Sequence, residues 1–293
     1  MKTVFAGNPL ARVFFVTARM LVLVYVGFSF YLAFFQRRML YYPTRVGETD
    51  LIPLAARNGL VPWHSGNGGY IGWKPASEPP PAADLLLVFN GNAGFALHRT
   101  YLADGFRQPL AEPALHVFLM EYPGYGPRPG EPSEKAFQAA AAEALAQLRQ
   151  DHPGSRIFLA GESLGSGVAC WLAGEHPEQV AGIFLITAFN RLVDVARHHY
   201  PILPVALLLR DRFDSSQALT RYHGPVGLLL AGDDQVIPPV FGKRLHEDYQ
   251  GPRQLWIQDG SGHNTLDYAI SAPWWSEATA FLLAHAPPKP ARP

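Results

Sequence analysis

The tightest constraint in this 293-residue chain lies between residues 156 and 176. A short apolar strand pattern, Arg156 to Ala160 (RIFLA), runs into Gly161-Glu162-Ser163-Leu164-Gly165 and straight on into the helix-compatible SGVACWLAGEH. A serine on so sharp a turn between strand and helix has a strained backbone, and its neighbours must be small for the two elements to approach. Gly161, Gly165 and Gly167 meet that need. The helix starting there points unpaired N–H groups and the positive end of its dipole toward the serine, which suits a developing oxyanion. The five-residue pattern alone is only moderately specific; its strand-to-helix setting carries the weight.

The same punctuation recurs along the chain. Tyr70 to Trp73, Asp84 to Phe89 (DLLLVF), His116 to Glu121, Gly182 to Thr187, Val226 to Ala231 and Gln254 to Gln258 read as further strands. DLLLVF is apolar at five successive positions, as in a strand buried on both faces. Helix patterns lie between them, most clearly Ser133 to Gln150 with Ser133 as N-cap. This alternation predicts an α/β fold with a mostly parallel sheet covered by helices on both faces. About forty residues separate GIFLIT from VGLLLA, too few for a large cap domain, and Tyr200 to Leu209 within them reads as a short helical flap.

A serine hydroxyl is a weak nucleophile near neutral pH unless a base takes its proton, and the base must be oriented by an acid. On a strand-turn-helix scaffold of this kind the chain order is serine, acid, histidine. Gly232-Asp233-Asp234 follows the strand VGLLLA, and Gly260-Ser261-Gly262-His263-Asn264 follows the last strand. Both lie past strand C-terminal ends, where open α/β sheets carry their sites. The residues alone leave Asp233, Asp234 and the remoter Asp194 open as the acid, whereas the position of His263 singles it out among eleven histidines. An oxyanion hole would take the N–H of Leu164 and a second N–H from the turn Asn90-Gly91-Asn92-Ala93-Gly94 after DLLLVF. Cys170 reads as a buried inert thiol, and the adjacent His198 and His199 point in different directions on a helix, which is poor metal geometry.

Composition adds exclusions. With 24 basic and 24 acidic residues, the formal charge is zero, so a broad nucleic-acid-binding surface is not expected. A charged fraction of 16% beside 12% aromatics argues against disorder. A single cysteine excludes an intramolecular disulfide and a Cys-rich zinc module. The zero is unevenly spread: residues 1–40 hold five basic groups and no acid, leaving 19 basic and 24 acidic residues beyond, a net of −5. Met20 to Phe35 carries no charge, and Val13 to Phe35 is long enough for a membrane helix if Arg19 snorkels toward the headgroups. A cleaved secretory signal ending near Gly27-Phe28-Ser29 is disfavoured because the apolar run continues past it. Lys2, Arg12 and the amino terminus on one flank balance Arg37, Arg38 and Arg45 on the other; assigning Arg19 to the first flank tips the count toward an inside N-terminus.

Six spaced stretches then carry a family resemblance: FNGNAGFALHR, EYPGYGPRPGEPSE, LAGESLGSGVA, DRFDS with its leading Asp211 and Arg212, AGDDQVIPP and GSGHN. The chain resembles the Bem46-like group of α/β-hydrolases, alpha/beta-hydrolase domain-containing proteins 13 and 17 among them, from about residue 38 to 285. The resemblance implies Ser163 as nucleophile, Asp234 as acid, His263 as base, and the N–H groups of Asn92 and Leu164 as oxyanion hole. Asn90 stands where the group usually has histidine, and Thr265 where it usually has an acidic residue.

The expectation is therefore an α/β-hydrolase fold in three parts: a membrane anchor over residues 1–38, a catalytic domain over 39–286 and a Pro-rich tail over 287–293. The expected activity is hydrolysis of a carboxylic ester or thioester through an acyl-enzyme, with no cofactor or metal. Expected partners are a small-molecule or lipid-like acyl substrate or an acylated protein, the membrane through the N-terminal helix, and no nucleic acid. An amidase or peptidase, and a non-catalytic binding protein on the same fold, are the alternatives.

Overall fold

Asp84–Phe89 (β4) lies at the centre of an eight-stranded sheet, and its six residues are all buried. The pleat explains the unbroken apolar run. Leu85, Leu87 and Phe89 face one core, with Ala141, Leu145 and Val168, while Leu86 and Val88 face the other, with Phe106 and Trp275. The computed structural model describes residues 9–107 and 115–289. Lys2 and the last four residues of the Pro-rich tail lie outside them.

The chain begins with a long helix, α1 (Pro9–Leu40), followed by a two-residue strand β1 (Tyr42–Pro43) and helix α2 (Glu48–Arg57). β2 (Leu60–His64), β3 (Tyr70–Pro75), β4, the short β5 (Ala93–Gly94), α3 (Thr100–Arg107) and β6 (His116–Met120) follow. Then come α4 (Glu134–Asp151), β7 (Arg156–Glu162), α5 (Leu164–Glu175) and β8 (Gly182–Ile186). Three short helices, α6 (Leu192–His199), α7 (Val205–Leu208) and α8 (Ser215–Leu219), precede β9 (Val226–Ala231), α9 (Pro239–Asp248), β10 (Arg253–Gln258) and α10 (Trp274–His285).

The sheet order is β10-β9-β8-β7-β4-β6-β3-β2, parallel from β10 through β6 and antiparallel over the last two pairings. The seven strands expected from sequence are present, and Ser133 caps α4 by accepting from the Ala136 N–H at 3.1 Å. β2 escapes sequence reading because Pro62 interrupts LVPWH; the structure places it on the sheet edge, where proline is tolerated.

α1 is longer than the apolar run that announced it. An 18-residue stretch within Leu10–Leu40 reaches a mean hydropathy of 2.0, and the helix is long and apolar enough to cross a membrane by length and composition. Its C-terminal end does not stop at residue 38 but is built into the domain. The Leu40 carbonyl accepts from Asn92 Nδ2 at 2.8 Å, and β1 pairs in parallel with β5. At the other terminus the tail is held at its start: Arg156 donates to the Pro287 carbonyl and Lys289 to that of Ala82.

Candidate active site

The turn after β7 is as strained as the sequence demands. Ser163 sits at φ 53°, ψ −119°, between the last residue of β7 and the first of α5. The two glycines that bracket it have steric reasons to be there. A Cβ on Gly161 would lie 2.4 Å from the Gly165 carbonyl oxygen, and one on Gly165 would lie 2.3 Å from that of Phe89. These contacts let helix α5 start directly over the ends of β7 and β4.

Residues separated by a hundred positions meet at this turn. His263 Nε2 lies 3.1 Å from Ser163 Oγ, and His263 Nδ1 lies 2.7 Å from Asp234 Oδ2. The other oxygen of Asp234 accepts the N–H groups of Val236 and Ile237, each at 2.8 Å, so the carboxylate is fixed in orientation. Asp234 is 2% exposed. Neither alternative acid reaches the histidine. Asp194 accepts from Asn190 and Arg191 on its own loop and helix, and Asp233 is in the turn, its N–H bonded to the Ser261 carbonyl. Thr265 braces the turn that carries His263, its hydroxyl accepting from the Gly262 N–H at 2.8 Å.

Among the described residues neither the Asn92 N–H nor the Leu164 N–H donates to another protein group, which leaves both available beside Ser163. The loop that carries Asn92 is held by groups that sequence reading did not single out. Tyr122 donates to the Asn90 carbonyl at 2.9 Å, Tyr125 to the Asn92 carbonyl at 2.7 Å, and the Glu121 carboxyl accepts from the Ala96 N–H at 3.1 Å. The stretch EYPGYG is thus a clamp on the loop after β4. Asn90, where histidine is usual, bonds locally to the Gly91 carbonyl at 3.0 Å. On the far side of the turn, Glu162 receives Arg99 at 2.5 Å and Tyr101 at 2.7 Å, tying the residue before Ser163 to the same loop region.

Glu121 is fully enclosed, and burial pushes its carboxyl up to about 8, with the Ala96 N–H and the Arg128 charge only partly offsetting that cost. The folded chain therefore holds this proton more tightly than the unfolded chain, whose ordinary value is 4.5. The resulting stability is complete below that value and is lost as the pH rises through about 8. Thermal unfolding at a series of pH values should show a midpoint falling over this window, and Glu121→Gln, which keeps an acceptor for Ala96, should flatten the fall. An unchanged slope in the variant would assign the pH dependence elsewhere.

An apolar cavity of about 450 Å³ adjoins Ser163, Leu164 and Asn92. α6, α7 and the loop between them supply one side of it, so the segment expected to form a flap does line the site. Cys170 is buried in α5 with its thiol pushed up to about 12 by desolvation, consistent with an inert core residue. His199 is engaged with the Val236 carbonyl at 2.9 Å.

Residues 84–204 match the family model described as alpha/beta hydrolase fold. An uncharacterised protein of Mycobacterium tuberculosis is 34% identical over 235 residues, covering 78% of this chain and 80% of its own length. Protein bem46 of Schizosaccharomyces pombe is 28% identical over 169 residues, covering 56% and 55% respectively. Among solved structures, Est1E from Butyrivibrio proteoclasticus superposes with a TM-score of 0.58 over 77% of this chain and 99% of its own, at 14% identity, a likeness of fold.

Proposed function

The chain belongs to the α/β-hydrolase family, in its Bem46-like group, and from that premise we propose that it is a membrane-anchored serine hydrolase cleaving carboxylic ester or thioester bonds. The observation that carries this reading is the continuous chain of contacts from Ser163 Oγ through His263 to Asp234, at 3.1 and 2.7 Å. His263 Nε2 takes the Ser163 proton as Oγ attacks the acyl carbonyl carbon. The Asn92 and Leu164 N–H groups hold the oxyanion of the tetrahedral intermediate. Collapse breaks the bond to the leaving group, which takes the proton from His263 and departs. Water, deprotonated by the same histidine, then attacks the acyl-enzyme and releases the acid, restoring Ser163. Asp234 stabilises the imidazolium and keeps its ring oriented. None of these steps calls for a metal or cofactor.

In this reading residues 1–38 are the membrane anchor, 39–286 the catalytic domain and 287–293 a tail. The unpaired apolar surface of α1 supports the anchor: Phe14, Leu21, Phe30 and Phe34 are all exposed, which suits lipid and not water.

The test is labelling of the full-length protein, in detergent, by a fluorophosphonate probe. One probe per chain, attached to the peptide containing Ser163 and blocking p-nitrophenyl ester hydrolysis, is the expected result. A folded protein that takes up no probe and cleaves no ester would sink the reading.

A further inference from the structure

The cavity beside Ser163 is completed by the anchor itself. Leu32, Ala33, Gln36, Met39 and Leu40 of α1 form one of its walls, facing α6 and α7 of the flap. Two polar side chains of α1, Tyr25 and Gln36, are spent on flap backbone. Tyr25 donates its hydroxyl to the Ile202 carbonyl at 2.8 Å; Gln36 Nε2 donates to the Leu208 carbonyl at 2.9 Å, and its Oε1 accepts from the Arg210 N–H at 2.8 Å. Tyr25 and Gln36 are eleven residues apart, so the flap lies along roughly 16 Å of the helix.

Such pairing is what a non-helical segment needs in lipid, where no water is available to satisfy an open carbonyl or N–H. The flap's own side chains agree. Ile202 is 80% exposed and Leu207 84% exposed, large aliphatic groups with no protein cover. At the end of this contact Arg37 makes a two-pronged pair with buried Asp211, at 2.8 and 2.9 Å, and Tyr41 donates to the same carboxylate at 3.0 Å. Charge begins where the apolar stretch of the helix ends.

We propose that anchor and flap together form an acyl-chain site that opens into the bilayer, and that the substrate is a long-chain fatty acyl ester resident in the membrane, its carbonyl at Ser163 and its chain lying between α1 and the flap. This rests on the hydrolase reading and adds its substrate class. The apolar helix is on this view a specificity element as well as a tether, since a chain without it would lack one wall of the pocket.

Full-length protein in phospholipid nanodiscs, assayed with p-nitrophenyl palmitate and p-nitrophenyl acetate, tests it. Ala33→Trp places bulk in the cavity and is expected to lower the palmitate-to-acetate ratio of kcat/KM by about tenfold or more. Phe34→Trp is the control, because Phe34 is 71% exposed and turned away from the cavity; it should leave the ratio unchanged. If the tryptophan variant loses its thermal unfolding transition, the smaller Ala33→Leu decides by the same ratio. A ratio unchanged by filling this wall, or a wild type that cleaves acetate and never palmitate, overturns the proposal and leaves the hydrolase reading standing. A wild type that cleaves neither ester and takes no fluorophosphonate overturns the hydrolase reading, and the acyl site falls with it.

Discussion

Ser163→Ala is expected to lower kcat for p-nitrophenyl ester hydrolysis on the order of 10^6-fold, with the protein still folded. The size follows from the geometry. Among the described residues Ser163 Oγ is the hydroxyl that His263 Nε2 reaches, at 3.1 Å, and Cys170 does not replace it, being buried in α5 with a thiol that resists ionisation. The second member of the relay should cost less. Asp234→Asn keeps the shape and the two N–H contacts of the carboxylate, but in the proposed mechanism it would remove the charge that stabilises the imidazolium and favour the wrong tautomer, an expected loss of about 10^4-fold in kcat. Asp233→Asn and Asp194→Asn, away from His263, should stay close to wild type. Parallel kinetics on the four variants, with their thermal unfolding, checks the assignment. A large loss at Asp233 with little at Asp234 would reverse it.

The largest expected effect on folding comes from a single methyl group. In Gly165→Ala the added Cβ would sit 2.3 Å from the Phe89 carbonyl oxygen and 2.6 Å from that of Asn90. Both are backbone atoms at the end of the central strand, held by the β7 ladder on one side and by Tyr122 on the Asn90 carbonyl. No side chain can swing aside, so α5 must move off β4. A loss of about 3 kcal/mol or more is expected, a large share of the roughly 5–15 kcal/mol by which a domain is stable. Gly66→Ala is the control. Nothing lies within 4 Å of its would-be Cβ, and a change within about 0.5 kcal/mol is expected. Denaturant or thermal unfolding of the detergent-solubilised proteins measures both. A Gly165→Ala protein as stable as wild type would show that α5 can move off β4 without loss.

Much of the scaffold was legible because its signals are local. A strand buried on both faces must be apolar at every position, so DLLLVF declared itself, and a helix needs a cap, so Ser133 marked the start of α4. Glycines around Ser163 announced a turn too tight for any other residue. The edge strand Leu60–His64 hid behind Pro62, because only the position of a strand in the sheet tells whether its N–H groups are needed. Asp233 and Asp234 are neighbours with the same chemistry, and nothing in their local sequence says which one turns toward a histidine 29 residues further on.

The sequence by itself determined seven strands of the sheet in their chain order, the strained serine and the apolar N-terminal helix, because each rests on steric or burial rules acting over a few residues. Tertiary structure alone decided what meets what. Glu121, Tyr122 and Tyr125 became a clamp on the Asn92 loop, and Gln36, where the apolar run of α1 ends, became the partner of Leu208 and Arg210. Those contacts join positions up to 174 residues apart, where the geometry is set by sheet order and helix packing and leaves no periodic trace along the chain.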